Sequence, residues 1–346
     1  MPDVDLSQLK DGLVEESWYV ELGDYVIAID VSPDATKIAA ITVEGVVFLI
    51  DDHGSSAEFK SIGRHDGGAN SVSWRCDGAE FATSGHDGLV KVWDGSSGQQ
   101  LCALEAGDSW VAKAVYNPKR NVLATAAGKH LKWWSQQREV VYESSNHVST
   151  IADAGWNPDG SGVAVVAYNG VTLHIPGKKK HPRKYKWKGS SLVMAWSPDG
   201  KYIATGEQDA TVHFWHVKSG EDAAMSGFPA KVMELAWDSS GRWLATGGGP
   251  TICLWDCSGE GPMGRSPRQY EMHPNKLTQL GFQPDGEFLA STDAEFLILW
   301  DPIAHDKIVG GASLSSSASC LKWSKGGKLA LGQQDGKVVV FAVRQS

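Results

Sequence analysis

Residues 65–104 read HDGGANSVSWRCDGAEFATSGHDGLVKVWDGSSGQQLCAL. Four stretches of this segment have the alternating or continuous apolar content of short β-strands: Ala69–Trp74, Phe81–Ser84, Leu89–Trp93 and Gln99–Leu104. The pairs Asp77-Gly78 and Asp87-Gly88 stand between strands, and both residue types tolerate the backbone of tight turns. The segment therefore predicts four antiparallel strands joined by short turns.

The same pattern occurs eight times along the 346-residue chain. The residue that turns the first strand into the second lies at Ala35, Gly78, Arg120, Gly160, Gly200, Gly241, Gly286 and Gly327, so successive repeats are 40 to 45 residues apart. Four short strands per repeat at this period are typical of a β-propeller. We therefore expect an all-β protein with eight four-stranded blades, and seven blades are the alternative.

The eighth repeat lacks its fourth strand. Its first strand ends at Trp323 and its third covers Val338–Val343. An unassigned strand, Trp18–Leu22, precedes the first repeat. Because an unpaired sheet edge promotes aggregation, we expect this strand to pair with Val338–Val343, closing the last blade and burying Trp18 and Tyr19. Residues 1–14 then form an acidic N-terminal tail, and residues 15–346 form a single propeller.

Composition argues against several classes of protein. The net charge of −9 at pH 7 argues against general affinity for nucleic acid. The longest apolar runs, such as Val46–Ile50, have the length of a strand, so no membrane span is expected. The N-terminus lacks the apolar core of a signal peptide. The five cysteines are scattered and odd in number, as in a reduced, cytoplasmic protein. We expect a monomer when the protein is alone.

Over residues 15–346, the chain resembles the WD-repeat propellers. The pairs Trp93-Asp94, Trp255-Asp256 and Trp300-Asp301 stand where that family has its Trp-Asp pair, and Trp215-His216 departs from it by one residue. Most members of the family have seven blades, and most are non-catalytic scaffolds. The resemblance therefore implies a protein that binds other proteins and needs no cofactor.

His65, Thr83, Asp87 and Trp93 form the one constellation that resembles a catalytic site. With Thr83 as the nucleophile they could be mistaken for a hydrolase triad, but the sequence offers no oxyanion hole or substrate pocket. In the WD-repeat family, residues at these four positions form a structural hydrogen-bond network. We therefore expect a structural role, no enzymatic activity, and the complete set in the second repeat only.

Basic residues are densest between residues 178 and 188. They are Lys178, Lys179, Lys180, Arg183, Lys184, Lys186 and Lys188, with Tyr185 and Trp187 among them. The leading interpretation is a solvated turn and an outer edge strand, because lysine discourages unwanted strand pairing. The alternatives are a surface for an acidic protein partner, an RNA-binding patch and a localisation signal.

Metal binding has weak support in the sequence. His213 and His216 are three residues apart on a predicted strand and therefore point to opposite faces. Cys253 and Cys257 have poor spacing for zinc, with no second Cys or His pair nearby in sequence. Ligands from different blades could still converge, so an accessory role in metal handling remains an alternative function.

A partner-binding surface is expected on the central face of the propeller. One residue per repeat, three positions past the family's His, should line its rim: Tyr25, Gly68, Trp110, Thr150, Ser190, Lys231, Lys276 and Ser317. In WD-repeat proteins this position commonly contacts partners, and aromatic residues are enriched in binding hot spots. We therefore assign partner binding to Tyr25, Trp110, Lys231 and Lys276. The alternative is that Trp110 packs between the second and third repeats. The leading function is a non-catalytic scaffold in a cytoplasmic complex.

Overall fold

The computed structural model describes residues 12–177, 182–303 and 307–344. Within these ranges the regular secondary structure consists of thirty β-strands. The strands form seven sheets, of which six have four strands and one has six. The prediction of an all-β fold is therefore confirmed. No helix among the described residues has the length and apolar character needed to cross a membrane.

The chain divides into two compact units. The N-terminal unit comprises Ile27–His53 and Glu58–Trp196. The C-terminal unit comprises the described parts of Ser197–Ser346, together with those of Met1–Val26 and Gly54–Ala57.

Strands β2 to β16 belong mainly to the N-terminal unit. They are β2 (Val26–Val31), β3 (Lys37–Thr42), β4 (Val46–Asp52), β5 (Ala57–Arg64), β6 (Ala69–Trp74), β7 (Glu80–Gly85), β8 (Leu89–Asp94), β9 (Gln100–Glu105), β10 (Val111–Tyr116), β11 (Leu123–Ala127), β12 (His130–Trp134), β13 (Val140–Glu143), β14 (Asp153–Trp156), β15 (Val163–His174) and β16 (Arg183–Trp196).

The second repeat shows how its sequence specifies a blade. Its sheet runs in the order β6-β7-β8-β9, with neighbours antiparallel. All six residues of β7 are buried, whereas β9 buries only Leu104. The turn residue Gly78 has a φ of 73°, a left-handed conformation that glycine adopts without steric cost. Small and apolar residues therefore form the inner strands, and the mixed sequence of β9 forms the exposed outer strand.

Repeats four and five share one sheet, which runs in the order β14-β15-β16-β17-β18-β19. Strand β16 is 14 residues long and covers both the expected last strand of repeat four and Leu192–Trp196, the expected first strand of repeat five. Gly189-Ser190-Ser191 continues the strand, and Ser190 pairs with Tyr168 of β15. The prediction of eight separate blades is therefore wrong, and the alternative of seven is what the sheets show.

Strands β1 and β17 to β30 belong to the C-terminal unit. They are β1 (Val14–Glu21), β17 (Tyr202–Glu207), β18 (Val212–His216), β19 (Asp222–Met225), β20 (Leu235–Trp237), β21 (Trp243–Thr246), β22 (Ile252–Asp256), β23 (Arg268–Tyr270), β24 (Gln279–Phe282), β25 (Leu289–Thr292), β26 (Phe296–Asp301), β27 (Lys307–Ser313), β28 (Ala318–Trp323), β29 (Leu329–Gln333) and β30 (Lys337–Val343).

The N-terminal strand completes the last sheet, as predicted. Strand β1 pairs antiparallel with β30, with Trp18 opposite Val340, and the sheet runs in the order β1-β30-β29-β28. Trp18 is 5% exposed, but Tyr19 is 51% exposed. The expected burial of Tyr19 is therefore wrong, because successive side chains of a strand point to opposite faces. Residues 1–11 of the predicted acidic tail lie outside the described residues.

Candidate functional site

The predicted network in the second repeat is present. His65 Nδ1 lies 3.0 Å from both Asp87 carboxylate oxygens, and His65 Nε2 lies 2.8 Å from Thr83 Oγ1. The Trp93 indole N–H donates to the same Thr83 oxygen at 2.9 Å. Each of these polar atoms has a partner when neutral His65 donates a hydrogen bond from Nδ1 to Asp87 and accepts one at Nε2 from the Thr83 hydroxyl.

Burial makes this network structural rather than catalytic. His65 and Thr83 have no exposed surface, so no substrate can reach the Thr83 hydroxyl. Burial lowers the pKa of His65 despite the neighbouring Asp87 carboxylate. Burial acts to raise the pKa of Asp87, but the hydrogen bonds that it accepts from His65 and from the backbone N–H groups of Leu89 and Asp66 outweigh it and the pKa falls. The arrangement satisfies buried polar groups, which would otherwise be costly.

The seventh repeat forms part of the same network, through His273, Ser291 and Trp300. His273 Nε2 lies 2.7 Å from Ser291 Oγ, and the Trp300 indole donates to that oxygen at 2.7 Å. His273 Nδ1 lies 3.4 Å from an oxygen of Asp293, too poorly aligned for a hydrogen bond. Asp293 follows Ser291 by two residues, whereas Asp87 follows Thr83 by four. The spacing of the second repeat therefore does not point to Asp293. The 18 residues from His to Ser or Thr are the same in both repeats.

A buried ion-pair cluster joins the second and third repeats. Glu80 is 5% exposed and accepts hydrogen bonds from the Tyr116 hydroxyl at 2.8 Å and from two Arg138 nitrogens at 2.9 and 2.5 Å. Arg75 adds an ion pair at 2.9 Å. Burial acts to raise the pKa of Glu80, but these partners outweigh it, so the carboxylate stays ionised. The cluster therefore has a structural role: it links the second repeat to the third through buried hydrogen bonds and ion pairs.

Trp110 is exposed and held in place. Its side chain is 64% exposed, which excludes the alternative of packing between repeats. Its ring stacks on His86 with centroids 4.4 Å apart and planes 12° apart. The His86 ring is fixed by a 3.0 Å hydrogen bond between Nε2 and the Asn70 amide oxygen, and the Asn70 amide donates to the carbonyl of Val111 at 3.0 Å. Neither His86 nor Asn70 stands out in the sequence as a supporting residue.

A cavity of about 620 Å³ adjoins Trp110. Its wall contains three carboxylates, from Asp87, Glu105 and Asp108, and one ammonium group, from Lys132. Glu105 and Asp108 are exposed, whereas Asp87 is committed to His65. The environment of Trp110 is therefore acidic, and an indole ring beside carboxylates suits a cation.

The other three predicted contact residues lie in the C-terminal unit. Lys231 and Lys276 are exposed, and Tyr25 is partly buried. The buried Glu234 lies in the field of Lys276, but burial is the larger effect and raises the pKa of the carboxyl. These positions offer two accessible cations, which suit acidic groups.

The described part of the basic segment lies at the start of β16. Arg183, Lys184, Lys186 and Lys188 are exposed, whereas Tyr185 is buried. Lys184 and Lys186 lie opposite Thr172 and Gly170 of β15. Lys178, Lys179 and Lys180 lie outside the described residues.

The candidate metal ligands have separate partners. His213 Nδ1 lies 3.3 Å from Asp222, whereas His216 Nδ1 accepts the backbone N–H of Ser219 at 3.0 Å. The five cysteines, all in the described ranges, are free thiols. Among the described residues, no group of three or more His, Cys, Asp or Glu side chains is placed to hold a metal ion.

Comparison with known proteins identifies the repeats. The sequence profile described as "WD domain, G-beta repeat" matches residues 57–94, 184–216 and 224–256. The solved structure of the computationally designed Ika8 protein superposes with a TM-score of 0.80 at 18% identity, over 95% of this chain and 100% of that one. At that identity the likeness concerns the fold alone.

Curated relatives are identical to this chain at about a quarter of the aligned positions. Telomerase protein component 1 of Rattus norvegicus is 24% identical over 96% of this chain and 13% of its own length. Cell division cycle 20.1, cofactor of APC complex, of Arabidopsis thaliana is 24% identical over 77% of this chain and 62% of its own length. WD repeat-containing protein AAC3 of Dictyostelium discoideum is 26% identical over 54% of this chain and 46% of its own length. The chain thus spans less than two thirds of each of these relatives. The matched repeats, the relatives and the sheets together identify this chain as a WD-repeat β-propeller protein.

Proposed function

We propose that this protein is a non-catalytic adaptor that binds other proteins within a cytoplasmic complex, as one propeller over residues 15–346 and as a monomer when alone. The observation that carries the proposal is the exposed indole of Trp110, which stacks on His86. WD-repeat propellers are generally non-catalytic scaffolds, and one relative is described as a cofactor of the APC complex. The free thiols support a reducing compartment.

Trp110 has the properties of a binding hot spot. Binding costs free energy when a flexible side chain must be fixed, but the stacking on His86 already restricts this ring. Tryptophan is among the residues that dominate interface energies. The carboxylates of Glu105 and Asp108 beside it favour an arginine or lysine of the partner.

Tyr25, Lys231 and Lys276 are proposed as a further contact region for acidic side chains of a partner. Their two exposed ammonium groups support this role, since complementary charge directs association and partner choice. The sequence assigns Trp110 to the same set of contact residues. The surroundings of Trp110 are acidic, however, so we propose that it meets basic rather than acidic side chains of the partner.

Affinity capture with three forms of the protein tests the proposal. Bound proteins are identified by mass spectrometry for the wild type, for Trp110→Ala, and for Leu101→Ala, which removes an exposed side chain of the same unit. A partner kept by the wild type and Leu101→Ala should bind Trp110→Ala at least about 30-fold more weakly, which corresponds to about 2 kcal/mol. Melting temperatures should be unchanged. Equal recovery by all three forms contradicts the proposal.

A further inference from the structure

A second cavity, separate from the surface around Trp110, lies in the N-terminal unit. Its volume is about 970 Å³. Its walls come from the start of β16, from the second half of β15 and from residues 145–148. It lies on the part of the chain where the sequence concentrates its basic residues.

The charge of this cavity is positive. Lys184, Lys186 and Lys188 all line it, and no aspartate or glutamate is among the described residues of its wall. None of the three ammonium groups forms an ion pair with a described carboxylate. This is unusual in a chain of net charge −9, and three unneutralised lysines around one cavity favour an anionic occupant.

Two histidines in the same wall add no charge at neutral pH. His174 Nε2 lies 3.2 Å from His147 Nε2, and His174 Nδ1 lies 2.7 Å from the Tyr142 hydroxyl. Burial, reinforced by the charge of Lys184, lowers the pKa of His147 to about 4 and that of His174 to about 3. The positive charge is therefore that of the lysines, and the wall beneath them is neutral.

The spacing of the lysines fits an extended peptide. Lys184 and Lys186 are two residues apart in a regularly paired part of β16, so they point to one face about 6.6 Å apart. Alternate side chains of an extended peptide have the same separation. Lys188 lies in a bulge, where residues 186–190 of β16 face residues 168–170 of β15.

We propose that this cavity binds an extended segment of a partner protein that carries aspartate or glutamate at alternate positions. Carboxylates two residues apart meet Lys184 and Lys186, and the next one reaches Lys188. The half-exposed ring of Tyr168 and the partly buried ring of Trp187 line the same cavity and can pack against the intervening side chains. A peptide is favoured over nucleic acid because a long polyanion would meet the negative charge of the rest of the chain.

Fluorescence anisotropy with short labelled probes tests this proposal. The probes are an acetylated Gly-Glu-Thr-Glu-Thr-Glu-Gly peptide, the same peptide with Gln for Glu, and an oligouridylate of eight nucleotides. The Glu peptide should bind the wild type at least about tenfold more tightly than the Gln peptide, the gain expected from charge-assisted hydrogen bonds. The oligouridylate should bind more weakly than the Glu peptide.

Variants locate the binding. Lys184→Gln combined with Lys186→Gln should weaken Glu-peptide binding at least about tenfold. Lys60→Gln combined with Lys119→Gln, which removes two exposed lysines elsewhere in the same unit, should leave the affinity within about twofold because those lysines lie outside the cavity. Circular dichroism verifies that both variants fold. Absent binding of the Glu peptide, equal binding of the Gln peptide, or equal losses in both variants overturns the proposal. Tighter binding of oligouridylate that depends on Lys184 and Lys186 overturns it in favour of nucleic acid.

Discussion

Adjacent residues of β1 should differ sharply in what they contribute to stability. Trp18 is 5% exposed, and replacement of a buried tryptophan by alanine costs about 3–5 kcal/mol of unfolding free energy. Tyr19 is 51% exposed, and its ring lies 4.3 Å from the Lys337 ammonium. Loss of an exposed contact of this kind costs about 0.5–1 kcal/mol. Trp18→Ala should therefore cost at least about 2 kcal/mol more than Tyr19→Ala.

Urea unfolding followed by far-ultraviolet circular dichroism measures this difference. The two variants remove an aromatic ring from the same strand, so each controls for the other's effect on strand propensity. The midpoint should fall much further for Trp18→Ala, with a similar slope if the unfolding remains two-state. Equal midpoints for the two variants would refute the packing of β1 against β30.

Two further predictions concern histidines. His65→Ala should lower the unfolding free energy by about 1–3 kcal/mol, because Thr83 and Asp87 lose a buried partner. The structural role would be contradicted by a hydrolytic activity that both His65→Ala and Thr83→Ala abolish while the melting temperature stays unchanged. Stability should fall as the pH drops below about 6.5, because the unfolded chain gains protons on His147 and His174 while the folded protein, with pKa values of about 4 and about 3, does not. His174→Gln should reduce this slope between pH 6 and 5 by about 1.4 kcal/mol per pH unit, and unchanged slopes in denaturant titrations at those pH values would disprove it.

Local features of the fold were predictable from sequence. Ala69–Trp74 was predicted as a strand and forms β6 with the same bounds. The turn position of the first repeat is an alanine, and Ala35 has a left-handed φ of 60°, as do five of the six glycines at the equivalent positions. Alternation and turn chemistry act over a few residues, so a single sequence contains them. The pairing of β1 with β30 was also predictable, because the last repeat lacked a strand.

Features that depend on distant contacts were not predictable. Glu80 and Arg138 are 58 residues apart, and neither belongs to the repeat pattern. The predicted number of eight blades is wrong because Gly189-Ser190 has the composition of a turn yet continues β16. The stacking of Trp110 on His86 likewise joins exposed or partly exposed side chains of two different repeats. Tertiary context overrides local preference at such positions.

The pairing of β1 with β30 has a consequence for synthesis on the ribosome. More than 300 residues separate the end of β1 at Glu21 from the start of β30 at Lys337. At about 5–20 residues per second, β1 waits roughly 15 to 60 s for its partner. During that time the apolar side chains of Trp18 and Val20 have no sheet to cover them, and an unpaired strand readily joins other chains. Nascent chains should therefore depend on chaperones until β30 has been synthesised.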